Sequence, residues 1–193
     1  MEEEQRHTKD ALRRRLRAAR RSLAPDAAAR LGALISRRVA ALDAFGAARN
    51  LVAYAPVENE VDPGSAVATA LAAGKTVYYP RRDGDGLAFV AAAPAALRPG
   101  RHGIPEPVGG AALPAGAADV VVLVPGVAFD PRGIRLGRGA GCYDRALARH
   151  PTARRIGLAY EMQIVAEVPA DPWDVPMDAV VTEDRVLGPK EMQ

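Results

Sequence analysis

The stretch from Pro125 to Arg145, PGVAFDPRGIRLGRGAGCYDR, holds the densest set of residues able to do chemistry. Gly137, Gly139 and Gly141 alternate with Arg138, Ala140 and Cys142. Glycine at such positions lets backbone N–H groups come close to an anion. A helix predicted to start near Cys142 directs the positive end of its dipole at the same point. Arg135 and Arg138 supply guanidinium forks that match phosphate oxygens, and Asp144 is placed to hold a magnesium ion bridging them. A glycine-rich run by itself reads first as a mobile surface loop. The arginines, the helix start and the downstream aspartate together favour phosphate binding. Neither common nucleotide pattern fits. A Walker loop needs Gly-Lys-Ser or Gly-Lys-Thr at its end, and the dinucleotide fingerprint needs glycine where Cys142 stands.

The elements that must position this loop can be read from periodicity. Two helical stretches come first. Thr8 is a candidate cap for a helix running to about Leu23, with Leu12 and Leu16 on one face. Pro25 and Asp26 then open a second helix, along which Leu31, Leu34, Ile35, Val39 and Leu42 recur at helical spacing. Short apolar runs at 51–54, 76–79, 87–91, 120–124, 156–160 and 179–182 read as strands. A helix starting at Asp62 and Pro63 passes through Val67 and Leu71 and is capped by Gly74, and another covers 142–149. Residues 93–118, rich in Pro, Gly and Ala, read as a long irregular connection. Strands alternating with helices predict an α/β fold. The expected form is a mostly parallel sheet flanked by helices on both faces, three-layered and Rossmann-like, preceded by the two N-terminal helices. Ligands in such folds bind beyond the carboxyl ends of the strands, which places the loops after Tyr54 and Val124 at the expected site.

Composition narrows the classes. A chain of 193 residues with no domain boundary in its pattern is expected to form one domain, 1–193. Its apolar runs are too short to cross a bilayer, and its charged N-terminus does not read as a signal peptide. Its single cysteine excludes an internal disulfide, and His7, His102 and His150 lack metal-ligand spacing. The net charge is +3, concentrated in a run of arginines from Arg6 to Arg21. Such a run can bind phosphate or nucleic acid, or form a solvated helix face, and the solvated face suits most of these residues. Modest net charge and few aromatics argue against a nucleic-acid binder.

RLGRGAGCYDR resembles the signature loop of the 5-formyltetrahydrofolate cyclo-ligases. PGVAFD before it is similar too, as are Lys9 with Leu12-Arg13, YAPVENEVD at 54–62, GIPEP at 103–107 and VPADPWDVPMDAVVTE at 168–183. These stretches occur in the family's order and span nearly the whole chain. The resemblance implies a cytoplasmic, monomeric enzyme acting on small molecules. It would close 5-formyltetrahydrofolate to 5,10-methenyltetrahydrofolate, using ATP and Mg2+. It further implies that Lys9, Arg13 and the run Arg135, Leu136, Gly137, Arg138, Gly139, Ala140, Gly141, Cys142 and Tyr143 contact ATP. Arg135 and Arg138 would serve catalysis. Glu60, Ala55 and residues Arg138 to Cys142 would face the folate, and Asp144 and Asp178 would be linked to magnesium. Asp62 reads as a helix cap, and Trp173 as a packing anchor for a proline-rich loop. Three positions depart from the family pattern. Cys142 stands where the family has the first of two tyrosines, Pro63 where threonine is common, and His102 where an aromatic residue precedes Gly-Ile-Pro.

Overall fold

Buried apolar runs and helical spacings resolve into five α-helices and eleven strands among the described residues of a computed structural model, which are 2–100 and 103–188. His102 lies outside the described residues. In chain order the elements are α1 (Glu2–Arg21), α2 (Pro25–Ala40), α3 (Asp43–Ala47), β1 (Asn50–Val52), α4 (Gly64–Ala72), β2 (Thr76–Asp83) and β3 (Gly86–Ala91). There follow β4 (Leu97–Pro99), β5 (Pro105–Pro107), β6 (Val120–Pro125), β7 (Ala128–Phe129), β8 (Arg135–Leu136), α5 (Cys142–Ala148), β9 (Arg154–Leu158), β10 (Ala179–Val181) and β11 (Val186–Leu187).

Seven of the strands form one sheet in the order β11-β10-β9-β6-β1-β2-β3. The five inner strands run parallel, and the edge strands β3 and β11 are antiparallel to their neighbours. From β1 the chain moves to β2 on one side, and from β6 it moves to β9 and β10 on the other. The order therefore reverses between β1 and β6, which leaves a crevice at their carboxyl ends.

Both faces of the sheet are covered, so its strands are apolar on successive residues rather than on alternate ones. Leu51, Val121, Leu123, Ile156 and Leu158 pack against Ile35 and Val39 of α2, Phe45 of α3 and Val67 of α4. Val52, Val122, Val124 and Val180 turn the other way, onto Phe129 and the α5 residues Ala146 and Leu147. Truncating a fully buried strand residue such as Leu123 to alanine costs about 2–5 kcal/mol. Helix α1 stands apart, its Leu16 packing on Val127, Ala128 and Leu136 of the β7–β8 hairpin. That contact lays the basic helix along the glycine-rich loop.

Several local expectations change. Thr8 is inside α1, which starts at Glu2, so it does not stand at the start of the helix. Helix α2 begins at Pro25 as its fixed φ favours. Asp62 caps α4 from one residue further out than expected: its Oδ1 accepts the Gly64 N–H at 2.8 Å, while Pro63 occupies the boundary. The ninth strand lies at Arg154–Leu158, two residues earlier than the apolar run suggests. The connection at 93–118 contains the β4–β5 hairpin, and the glycine-rich loop begins with the β7–β8 hairpin.

Candidate functional site

A cleft of about 950 Å³ opens at the carboxyl ends of β1 and β6, where the strand order reverses. Its walls include every residue from 135 to 144, together with Lys9 and Arg13 of α1 and Ala55 and Glu60 after β1. Asp178 does not line it. Of the residues singled out from sequence for ATP, folate and metal, the chain brings all but Asp178 to one cleft.

The loop entering the cleft is held, not loose. Buried Asp130 accepts hydrogen bonds from the N–H groups of Arg132 (2.9 Å), Ile134 (3.1 Å) and Val168 (3.0 Å), which fixes the hairpin turn. Gly133, at φ 81°, lies against Met177 O with no room for a side chain. Buried Gln163 donates to Gly126 O (2.9 Å) and Val127 O (3.0 Å). Beyond the hairpin the chain is exposed at residues 138–140 and turns through positive φ at Gly139 and Gly141, as glycine allows. Arg13 Nε donates to Gly137 O at 3.0 Å and ties α1 to the cradle.

Arg135 and Asp144 form a pair in the cleft wall. Arg135 Nη2 donates to both carboxylate oxygens, at 3.0 and 2.9 Å, and both side chains are largely buried. The guanidinium stands 5.5 Å from the Tyr143 ring centre, a cation–π arrangement. Burial pushes the Tyr143 phenol up from its ordinary value, so it stays neutral. Lys9 Nζ reaches across to Asp171 at 2.6 Å and Asp174 at 3.5 Å, joining α1 to the tail loop.

A second group of charges centres on Glu58 and Glu60. Glu58 receives Arg17 (2.8 and 3.2 Å), Arg21 and Arg138 (3.1 Å), with Arg20 at 3.8 Å. The Arg17 hydrogen bond is the leading cause that holds its carboxyl at about 2. Glu60 is more buried, accepts the Val57 N–H at 3.2 Å, and faces Arg138 Nε at 3.6 Å and Arg20 Nη2 at 3.7 Å. Burial raises its pKa, opposed by Arg20 and Arg138. Arg138, within the glycine-rich run, thus reaches both carboxylates on the far wall of the cleft.

Arg20 and Glu58 were not assigned from sequence. Arg20 is buried, donating to Glu58 O (3.0 Å) and Gly126 O (3.1 Å), and its Nη2 has no hydrogen bond. Its signal was present: it follows Leu12 and Leu16 at spacing four and so continues the inward stripe of α1. Arg14 and Arg15 are exposed, in keeping with a solvated face, whereas Arg17 and Arg20 turn inward to Glu58.

Two expectations require correction. Asp178 precedes β10 and is held by Arg155 of β9, through Nη2 at 2.7 Å, Nε at 2.9 Å and the backbone N–H at 2.7 Å. Both residues are at the amino ends of parallel strands, and Asp178 faces Arg155 rather than the cleft that Asp144 lines. Trp173 is no packing anchor: 70% of it is exposed, and it lines the cleft. Cys142 is at the cleft wall, where its Sγ accepts from Arg82 Nη1 at 2.9 Å.

The sequence model of the 5-formyltetrahydrofolate cyclo-ligase family matches residues 5–183. The Escherichia coli K12 5-formyltetrahydrofolate cyclo-ligase is 32% identical over 179 residues, covering 89% of this chain and 98% of that protein. The Mycolicibacterium smegmatis 5-formyltetrahydrofolate cyclo-ligase is 39% identical over 147 residues, covering 71% and 75%. Among solved structures, the Aquifex aeolicus 5,10-methenyltetrahydrofolate synthetase superposes with a TM-score of 0.78 at 32% identity, covering 92% of this chain and 91% of that one.

Proposed function

This chain belongs to the 5-formyltetrahydrofolate cyclo-ligase family, and on that premise we propose that its cleft cyclises 5-formyltetrahydrofolate to 5,10-methenyltetrahydrofolate at the expense of ATP. One observation carries the reading. Arg138 stands between a glycine cradle suited to a triphosphate and a buried carboxylate, Glu60, suited to the N–H edge of a pterin.

The chemistry needs little acid–base machinery. The formyl oxygen on N5 is a poor leaving group until it attacks the γ-phosphorus and ADP departs. N10 then attacks the formyl carbon, and the C–O bond breaks to release phosphate, with the N10 proton passing to solvent. The enzyme's work is to hold the two ligands in line and to stabilise charge on the phosphoryl group. Lys9, Arg13 and the backbone of residues 136–141 bind the nucleotide, Arg138 meets the phosphoryl group in flight, and Arg135 keeps Asp144 in place. Ala55 and Glu60 border the folate half, where Cys142 leaves more room than a tyrosine. Magnesium carried on the triphosphate would neutralise part of its charge. Asp144, on the cleft wall beside the cradle, would hold it once its carboxylate is shared with Arg135. No helix among the described residues is long and apolar enough to cross a membrane, and we propose a cytoplasmic location from the likeness to the bacterial members of the family.

The test is ATP- and Mg2+-dependent formation of methenyltetrahydrofolate absorbance from purified protein and (6S)-5-formyltetrahydrofolate, with Arg138→Ala alongside. Losing a transition-state donor of this kind is expected to lower kcat about 10²–10³-fold. ATP binding by calorimetry without any turnover would sink the reading and point to a different acceptor beside Cys142.

A further inference from the structure

Trp173 is the chain's one tryptophan, and it stands mostly in water on the wall of the cleft. An indole is the side chain with the most to gain from burial, so leaving it exposed in a ligand cleft calls for a partner that covers it. Its loop is also held firmly. Asp171 and Asp174, on either side, bind Lys9 Nζ, and Asp174 accepts the Asp171 N–H at 2.8 Å. Gln5 donates to Ala170 O at 3.1 Å, and the Val175 N–H reaches Asp144 Oδ1 at 3.4 Å. The loop is thus braced against α1 at one end and against the phosphate cradle at the other. Those contacts place it on the nucleotide side, beside Lys9 and Asp144. Glu60, by contrast, is tied to Arg20, Arg138 and Val57.

We propose that the exposed indole of Trp173 is the stacking face for the purine base of the nucleotide whose phosphates the glycine-rich loop cradles. This rests on the functional reading only in taking the cleft to bind ATP. A planar heteroaromatic base covers the indole without needing hydrogen-bond partners from the loop. The flanking Lys9–Asp171 and Lys9–Asp174 pairs keep the indole at the cleft edge. The contact adds affinity for the base and none for the phosphates.

The single tryptophan makes the test direct, because its emission reports this position alone. Titrating the intact protein with ATP or ADP is expected to quench or shift the emission. Inorganic tripolyphosphate, at concentrations that occupy the cradle by calorimetry, is expected to leave it unchanged. Trp173→Ala should weaken ATP binding about tenfold, at the lower end of base-stacking contributions. The loss should fall on the KM for ATP rather than on kcat, spare the KM for 5-formyltetrahydrofolate, and be largely restored in Trp173→Phe. Equal responses to ATP and tripolyphosphate, or a rise in the folate KM instead of the ATP KM, would overturn the proposal. An emission change with ATP in a protein that never cyclises the folate would remove the functional reading and leave this one standing.

Discussion

Replacing Arg20 with methionine is the sharpest probe of how α1 and the Glu58–Glu60 side of the cleft hold each other. The guanidinium is 1% exposed, donates to Glu58 O and Gly126 O, and lies 3.7 Å from the Glu60 carboxylate. Gly126 O keeps the Gln163 donor, but Glu58 O loses the bond from Arg20, worth about 1.5–3 kcal/mol for a charged donor. Breaking a tight buried pair costs about 3–5 kcal/mol, and here less, since Glu60 makes no hydrogen bond to Arg20 and keeps Arg138 at 3.6 Å. Methionine fills much of the space and sheds the guanidinium's own desolvation. The net loss expected is about 3 kcal/mol, or about 6–12 °C in Tm for a chain of this size. The loss should also depend on pH. Burial already raises the Glu60 pKa, and removing Arg20 raises it further. A raised carboxyl pKa stabilises the fold below the unfolded value, and that advantage is lost as pH rises through the folded value. The penalty of Arg20→Met is therefore greatest at pH 7.5 and shrinks as the pH falls towards 5. Urea denaturation of both proteins at the two pH values measures it. A penalty below about 1 kcal/mol, or one that grows on acidification, would refute the reasoning.

Glu58 gives the opposite pH signature. Its carboxyl is held at about 2 against an ordinary 4.5, so its stabilisation is present above 4.5 and is lost as pH falls through about 2. Glu58→Gln should cost of order 2 kcal/mol at pH 7, allowing for its one-quarter exposure, and progressively less in urea titrations run from pH 4.5 downwards. The two aspartates should separate cleanly. Asp144→Asn is expected to raise the Mg2+ concentration for half-maximal rate several-fold. Asp178→Asn, which breaks the Arg155 clamp, should cost about 1–3 kcal/mol in stability and leave the Mg2+ dependence unchanged. Gly133→Ala should lose at least about 2 kcal/mol in thermal melts, because the residue is at φ 81° and a Cβ would come within 2.4 Å of Met177 O.

The parts of this fold that rest on local chemistry were legible in the sequence. Pro25 starts α2, Gly74 ends α4, and the Asp83-Gly84-Asp85-Gly86 turn joins β2 to β3 because those residues favour such backbone angles by themselves. The valine run of β6 and the glycines of 137–141 are equally local signals. What was hidden depends on partners distant in sequence. The β4–β5 hairpin pairs Leu97 with Pro107 across a Pro- and Gly-rich segment with no strand pattern. Asp178 reads as a plausible metal ligand until the fold leaves it outside the cleft, against Arg155, 23 residues earlier in the chain. Trp173 reads as core because tryptophan usually is, and only the layout of the tail loop leaves it facing the cleft. Arg20 was masked by its company, since a buried arginine within a basic run has the same letter as its solvated neighbours.

The central claim is that this cleft activates a formyl oxygen by phosphorylation before the ring closes. The most direct measurement uses 5-formyltetrahydrofolate carrying 18O in the formyl group, with ATP and Mg2+, and determines by mass spectrometry where the label goes. The account predicts one labelled oxygen in each inorganic phosphate released, in step with methenyltetrahydrofolate formed. Ring closure that releases unlabelled phosphate, with the 18O appearing in water, would contradict it.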